Sequence, residues 1–279
     1  MFNWLERPLI FPAPPRHRGN WDMQWFDKED VYFESPRGPG RRAAQLHGWF
    51  APHPKAKQVI LYAHGQTEHV ASLASVVARL QDALDASVLV FDYRGYGKSE
   101  GRATEGGAIA DAMAAQQWLA ERTGKLPEEL ILIGRSLGGA VAVGVAAERG
   151  AKALILENTF GRLVDVASYH YPWLPVRPFM RNRFDSIRRI ARYEGPLLQL
   201  HGTRDRIAPA KFARELYAAC PSPMKRFYTV RRGVHHDATP LAFYSHMAKF
   251  LDEVEAFRKI GTLPAVFSQE GSAELSSVG

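Results

Sequence analysis

Short apolar runs alternate along the chain with longer stretches whose apolar positions follow a helical period. The runs predict eight strands: Val31–Glu34, Ala44–Phe50, Gln58–His64, Ser87–Asp92, Leu130–Gly134, Ala153–Glu157, Leu197–His201 and Lys225–Val230. The longer stretches predict the helices Val70–Leu84, Glu105–Arg122, Leu137–Arg149, Ala210–Ala219 and Pro240–Phe257. Because strands alternate with helices and the later strands are apolar throughout, we expect an α/β fold, with a mostly parallel eight-stranded sheet flanked by helices.

Two segments break this alternation. The stretch of about 161–194 carries Tyr171-Pro-Trp-Leu-Pro and many arginines, which predicts a small cap inserted over the sheet. Residues 259–279 are mostly small and polar, which predicts a disordered C-terminal tail. We therefore expect a single domain over residues 1–258.

Composition narrows the class of protein. Hydrophobic residues make up 46% of the 279 positions and charged residues 23%, as in ordinary globular domains. A single cysteine, Cys220, leaves no intrachain disulfide and suggests a reducing compartment. The first apolar run is short and interrupted by Glu6 and Arg7, so it predicts neither a secretory signal nor a membrane span. The predicted location is cytoplasmic.

The net charge of +7 is unevenly distributed. Six arginines lie close together at positions 177, 181, 183, 188, 189 and 192. We interpret them as a solvated face, with an anionic ligand or peripheral contact with a membrane left open. No aromatic and basic motif of a nucleic-acid-binding module accompanies them, so no nucleic-acid partner is expected. The sequence does not indicate an oligomeric state.

A serine flanked by glycines supplies the first candidate chemistry. Gly134-Arg-Ser136-Leu-Gly138 follows a predicted apolar strand and leads into a helix rich in small residues. That context is the one required for a sharp turn that projects a nucleophilic serine above a sheet. Glycine is needed on both sides because a β-carbon there would meet the crossing backbone.

A serine hydroxyl needs a base, and in folds of this kind an acid and then a histidine follow the serine along the chain. Asp205 lies in the loop after the predicted strand Leu197–His201, where catalytic groups of such sheets are found. The alternative is a loop aspartate that caps the helix starting near Pro209.

The histidine is ambiguous, since Arg232-Gly-Val-His235-His236-Asp237 offers two candidates after the last predicted strand. Adjacent loop side chains rarely converge on one ion and no H-E-x-x-H spacing is present, so no metal site is predicted.

An acyl-transfer site also needs two N–H donors for the developing oxyanion. One is expected from Leu137, directly after the serine, and the other from Gln66, in the loop after the third strand.

Taken together, the motifs resemble the α/β-hydrolase superfamily, in particular its α/β-hydrolase-domain lipases, protein depalmitoylases and their bacterial relatives. The resemblance spans about residues 30 to 258 and rests on His64-Gly65-Gln66, Asp92-Tyr-Arg94-Gly95-Tyr-Gly97-Lys-Ser99, Gly134-Arg-Ser136-Leu-Gly138-Gly139, His201-Gly-Thr-Arg-Asp205 and the closing His235. It favours His235 over His236 as the base. Relatives usually have Asn at the position of Gln66, and often Gly at Val234 and Asn at His236.

The resemblance implies a serine hydrolase that cleaves carboxylic esters of short or medium acyl chains through an acyl-enzyme, with Ser136 as nucleophile, Asp205 as acid and His235 as base. Such an enzyme needs no cofactor or metal, and its partner would be a small-molecule ester substrate. A thioesterase or monoacylglycerol lipase is the near alternative. A serine aminopeptidase and a catalytically silent binding protein of the same fold are the more distant ones.

The predicted cap supplies candidate substrate contacts. Trp173, Phe179 and Met180 are apolar and lie between the strand before the cap and the strand that presents Asp205. Loops at that edge of an α/β sheet roof the ligand crevice, so these side chains would line an acyl pocket. The alternative is that they pack the cap onto the body.

Overall fold

The computed structural model describes residues 3–23, 25–36, 42–260 and 272–276. Within these ranges one sheet contains nine strands, so all eight predicted strands are present and a ninth is added. The strands are β1 Glu29–Ser35, β2 Ala44–Ala51, β3 Gln58–Ala63, β4 Ala86–Phe91, β5 Ile131–Arg135, β6 Ala153–Glu157, β7 Leu197–Gly202, β8 Lys225–Arg231 and β9 Ser272–Ser276.

The sheet is mixed and mostly parallel, as predicted. Its order is β1-β2-β4-β3-β5-β6-β7-β8-β9, with β2 antiparallel to both β1 and β4 and every later pair parallel. Parallel neighbours require crossover connections, and helices supply most of them here. The carboxyl ends of β3, β5, β7 and β8 consequently meet at one edge, which collects the loops that carry the candidate site.

Helices cover both faces of this sheet. They are α1 Asn3–Ile10, α2 Ala74–Leu84, α3 Glu105–Thr123, α4 Leu137–Arg149, α5 Leu163–His170, α6 Val176–Phe179, α7 Ser186–Ile190, α8 Ala210–Ala219 and α9 Leu241–Ile260. The predicted helix from Val70 is divided, because Val70–Ser72 forms a separate 3₁₀ turn before α2 begins. No helix in the described part of the chain is long and apolar enough to cross a membrane.

Two apolar cores lie on opposite faces of the sheet. Helices α2 and α9 cover one core, which includes Val77, Leu80 and Phe250, and helices α3, α4 and α8 cover the other, which includes Leu119 and Val141. Strands buried on both faces account for the unbroken apolar runs in the sequence.

The tail prediction needs a correction. Ser272–Ser276 falls within the segment predicted to be disordered, but it pairs in parallel with β8 as β9. The added strand satisfies backbone groups that β8 would otherwise expose as an edge strand, and it buries Leu275. Residues 261–271 and 277–279 of the predicted tail lie outside the described residues.

The segment 161–194 contains three short helices, α5 to α7, and hydrogen bonds connect its second half to α1 and α3. Glu6 in α1 accepts hydrogen bonds from the backbone N–H groups of Arg181 and Asn182. Glu105, at the start of α3, accepts from the N–H of Phe184 at 2.9 Å and from Arg189 at 2.6 Å. The two glutamates thus hold the second half of the segment against the body.

Candidate active site

Ser136 occupies a sharp turn between β5 and α4. Its backbone has φ 52° and ψ −118°, a combination that costs energy for any residue except glycine. Two hydrogen bonds hold the turn: Ser136 N–H donates to the carbonyl of Glu157 at 2.9 Å, and the Thr159 hydroxyl donates to the carbonyl of Ser136 at 2.8 Å. The fold therefore fixes the serine in a conformation that projects its hydroxyl away from the strand.

The flanking glycines are required for the reason predicted from the sequence. A β-carbon at Gly134 would overlap the backbone of Gly138, and a β-carbon at Gly138 would overlap the carbonyl of Ala63 at the end of β3. The turn consequently packs directly on the neighbouring strand, which brings Ser136 beside the loop after β3.

The structure brings the three predicted catalytic residues together. Ser136 Oγ lies 2.8 Å from His235 Nε2, and His235 Nδ1 lies 2.6 Å from Asp205 Oδ2. With a carboxylate accepting at Nδ1, the imidazole proton sits on Nδ1, so Nε2 accepts the serine O–H. The relay joins residues that are far apart in the sequence: Asp205 lies 69 positions after Ser136, and His235 lies 30 positions after Asp205.

Asp205 has a second task in the same loop. Its Oδ1 accepts hydrogen bonds from the N–H groups of Ile207 and Ala208, which precede α8. The N-cap of α8 is Pro209 and no side chain in the described part of the chain caps that helix, so the capping alternative is wrong: Oδ1 of Asp205 holds its own loop, and Oδ2 contacts His235. Burial by itself would raise the pKa of Asp205, but hydrogen bonds from His201 and His235 hold that pKa well below its ordinary value. Asp205 is therefore ionised at neutral pH, and a carboxylate is the form that accepts a hydrogen bond from His235 Nδ1.

His236 lies outside this relay. Its side chain is exposed, and its ring meets that of His235 edge-on at a centroid distance of 5.2 Å. Of the two adjacent histidines, the one favoured by the resemblance is the one in contact with the serine.

One predicted oxyanion donor, Leu137, directly follows the serine, and the loop of the other passes close to it, since a β-carbon at Gly65 would lie 3.8 Å from that of Ser136. Leu137 is the first residue of α4, a position whose N–H has no partner within the helix. The loop of Gln66 is held by its own bonds, since Gly65 N–H donates to the Glu68 carboxylate at 2.7 Å and Tyr96 O–H donates to the Gln66 carbonyl at 3.0 Å. Among the described residues neither N–H of the pair has an acceptor, so both are available to a developing oxyanion.

Two side chains that the sequence analysis did not single out hold the histidine loop. Arg135 donates to the carbonyls of His235 at 3.1 Å and Asp237 at 2.8 Å, and Asn158 donates to the His235 carbonyl at 3.1 Å. Arg135 is the variable residue of the serine motif, and Asn158 follows β6 with a positive φ of 47°. The sequence signal for Arg135 is that it is a charged residue at the end of an otherwise apolar strand. Its partners lie about a hundred positions away and have no local pattern.

We expect Arg135→Met to lower kcat about 10²-fold and to change KM little, because losing two bonds lets the His235 ring drift from the serine, and a displacement of about 1 Å is enough for that loss. Arg135→Lys, which keeps the charge and one donor, should recover part of the rate. Steady-state kinetics with a chromogenic ester would measure both variants.

The matched control for this prediction is Arg149→Met, since Arg149 also donates to a backbone carbonyl, that of Met113, away from the site. A fall in melting temperature with unchanged kcat in Arg135→Met would show that the residue stabilises the fold only.

The predicted substrate contacts divide into two kinds. Trp173 is 78% exposed, so its side chain does not pack the insertion onto the body, and Phe179 is 57% exposed. Met180 is half-buried and packs against the core that α3, α4 and α8 cover. No hydrogen bond or ring contact joins these three residues to Ser136, so their contact with substrate stays a prediction.

For metals, the described ranges contain no group of three or more His, Cys, Asp or Glu side chains arranged to hold an ion.

Comparison with known proteins places this geometry in a family. A family model described as serine aminopeptidase, S33, matches residues 54–186, which include Ser136 but not Asp205 or His235. The α/β-hydrolase domain-containing protein WAV2 of Arabidopsis thaliana is 32% identical over 228 residues, covering 75% of this chain and 72% of that protein. The chain belongs to the α/β-hydrolase family. An uncharacterized protein of Mycobacterium tuberculosis is 38% identical over 242 residues, covering 86% of this α/β-hydrolase and 81% of the relative.

Solved structures share the same fold. An esterase of Pyrococcus furiosus superposes with a TM-score of 0.69 at 22% identity, covering 86% of this α/β-hydrolase and 97% of the esterase. A soluble variant of monoglyceride lipase from Saccharomyces cerevisiae, in complex with a substrate analog, gives a TM-score of 0.64 at 17% identity over 84% and 97% of the two chains. At these identities the likeness establishes the architecture alone.

Proposed function

We propose that this protein is a serine hydrolase that cleaves carboxylic esters of short or medium acyl chains through an acyl-enzyme intermediate. The observation that carries the proposal is the relay of 2.8 Å and 2.6 Å from Ser136 through His235 to Asp205. A serine without a base is a weak nucleophile, and this relay supplies both the base and its orienting carboxylate.

The chemistry follows from these positions. His235 Nε2 takes the hydroxyl proton while Ser136 Oγ forms a bond to the acyl carbon. The N–H groups of Gln66 and Leu137 stabilise the negative oxygen of the tetrahedral intermediate. When the ester C–O bond breaks, the imidazolium returns its proton to the departing alkoxide. Water then attacks the acyl-enzyme, with His235 again as base, and releases the carboxylic acid and free Ser136.

Several observations favour an ester over the alternatives. The esterase and monoglyceride lipase that share the fold are named for ester substrates. An aminopeptidase must hold a cationic N-terminal amine, whereas the exposed side chains on either side of Asp205 are Arg204 and Arg206, which would repel it. A silent binding protein has no need of an intact relay.

The decisive experiment is an acyl series of p-nitrophenyl esters, with matched thioesters, a monoacylglycerol and an aminoacyl p-nitroanilide, assayed with pure protein. We expect the highest kcat/KM for an ester and stoichiometric labelling of Ser136 by a fluorophosphonate probe. Turnover of the anilide alone would assign the site to peptides. No labelling and no turnover of any substrate would leave a binding protein.

The candidate pocket residues give a further prediction. Because Trp173 is largely exposed, its truncation should cost the fold less than about 0.5 kcal/mol. If Trp173 contacts the acyl chain, Trp173→Ala lowers kcat/KM for the longest chains several-fold and leaves acetate hydrolysis unchanged. If Met180 also contacts the acyl chain, Met180→Trp should shorten the preferred chain, since it adds bulk to the pocket.

The control for the acyl series is Trp25→Ala, which removes another exposed tryptophan. A uniform change across all chain lengths in Trp173→Ala and Met180→Trp would contradict a pocket role.

A further inference from the structure

Six large apolar side chains lie exposed on the insertion and on the Asp205 loop. They are Tyr169, Tyr171, Trp173, Leu174, Phe179 and Ile207, each more than two-fifths exposed, and are called here the aromatic rim. Surface apolar residues scattered singly need no explanation, but a group of them marks a site of interaction.

Contacts join two members of the aromatic rim to each other and connect the segment to the candidate site. The rings of Tyr171 and Trp173 meet edge-on at 5.9 Å. His170, between the two tyrosines, donates to the carbonyl of Ile207 at 2.8 Å. Ile207 in turn donates its N–H to Asp205, so the rim borders the loop that carries the acid of the relay.

Arginines without acidic partners lie next to these apolar residues. Arg177 and Arg189 of the insertion are neutralised by Asp165 at 2.7 Å and Glu105 at 2.6 Å. Arg181 and Arg206 are exposed, and within the described part of the chain no carboxylate pairs with either guanidinium. The same holds for Arg204 and Arg232 in the loops of Asp205 and His235.

We propose that the aromatic rim and its four unpaired arginines, Arg181, Arg204, Arg206 and Arg232, dock this protein on an anionic phospholipid surface. Aromatic side chains with one polar end suit the boundary between acyl chains and headgroups, and each guanidinium can pair with a lipid phosphate. Docking in this way does not depend on the proposed ester chemistry, and it would turn the loops around Ser136 toward the bilayer.

Charge favours a lipid surface over a second copy of the chain. A two-fold dimer places the same patch on both sides of its interface, so it would gather the four arginines of each copy into one interface. Like charges facing each other across an interface cost several kcal/mol. An anionic bilayer instead neutralises all four arginines while it covers the exposed rings.

The test uses the full chain carrying Ser136→Ala, so that binding is read without hydrolysis. The protein is sedimented with sucrose-loaded vesicles of phosphatidylcholine alone or mixed with phosphatidylglycerol. We expect binding that requires phosphatidylglycerol and weakens as salt is added, because the Debye length falls from about 10 Å at 0.1 M to about 3 Å at 1 M.

Variants assign the contact. Arg181→Gln and Arg206→Gln should each weaken partitioning about fivefold, the value for a basic residue at an anionic surface, and Trp173→Ala should weaken it several-fold. Matched controls are Arg79→Gln, which removes an exposed arginine of α2, and Trp25→Ala; neither should change binding. Melting temperatures of all variants check that the fold is intact.

Three outcomes would overturn the proposal: equal binding to neutral and anionic vesicles, no binding to either, or an equal loss in the controls. Sedimentation velocity supplies a fourth, since a dimer that dissociates in Trp173→Ala would assign the rim to a second copy. Failure of the ester proposal would appear separately, as missing turnover in the unsubstituted protein.

Discussion

Replacing Ser136 by alanine is expected to lower kcat for ester hydrolysis about 10⁵-fold, in line with the loss of the nucleophile in serine hydrolases. The substitution removes only Oγ. The backbone bonds of the turn, from Ser136 N–H to Glu157 and from Thr159 to the Ser136 carbonyl, are unaffected, so the fold should persist. The residual rate would come from binding and from the two N–H donors.

The measurement needs protein free of host esterases, with turnover, fluorophosphonate labelling and thermal melting compared on one preparation. Ser75→Ala is the matched control, because Ser75 is an exposed serine on α2 away from the turn. Turnover of Ser136→Ala near that of Ser75→Ala would mean that another group attacks the substrate, and the proposed mechanism would fail.

The second large effect is expected at the base. His235→Ala should lower kcat about 10³-fold or more, because it removes the proposed proton transfer to and from Ser136 Oγ and the contact of His235 Nδ1 with Asp205 Oδ2. The histidine loop should keep its position, since Arg135 and Asn158 hold the backbone carbonyl of residue 235 rather than its ring.

The adjacent histidine is the control for this prediction. His236 is exposed and makes only an edge contact with the ring of His235, so His236→Ala should change kcat less than a few-fold. The double variant Ser136→Ala/His235→Ala should be no slower than Ser136→Ala alone, because the two residues act as a unit. A larger loss in His236→Ala than in His235→Ala would reverse the assignment of the base.

Sequence patterns were enough to predict the framework of the sheet and the order of the candidate catalytic residues along the chain. All eight predicted strands are present, and the parallel strands β4 to β7 were recognisable because strands buried on both faces demand unbroken apolar runs. The antiparallel edge strand β1 instead alternates buried and exposed residues. The serine turn was recognisable because its glycines are close in sequence to the serine. A β-carbon at Gly134 would meet the backbone of Gly138 within the same strand–turn–helix unit, whereas one at Gly138 would meet Ala63 of the neighbouring strand. Asp205 was recognisable because it directly follows a strand.

The contacts that join distant segments could not be predicted from the sequence and are seen only in the folded structure. The bonds from Arg135 and Asn158 to the His235 carbonyl end on a backbone oxygen, and a carbonyl is identical in every residue, so no residue pattern can predict its partner. The pairing of β9 with β8 was missed for a related reason. A single marginal strand gains stability only from the sheet edge that receives it, and that edge exists only after the rest of the chain has folded.

The exposure of the aromatic rim was likewise a tertiary outcome. Trp173 and Phe179 have the composition of core residues, and the sequence allowed an acyl pocket or packing beneath the cap. The body is already filled by Phe184 and Ile190 of the same insertion, both fully buried, and the two rings are left at the surface. The amino-acid type shows which side chains favour burial, but the volume beneath the insertion is limited and close-packed, so only some of them are buried.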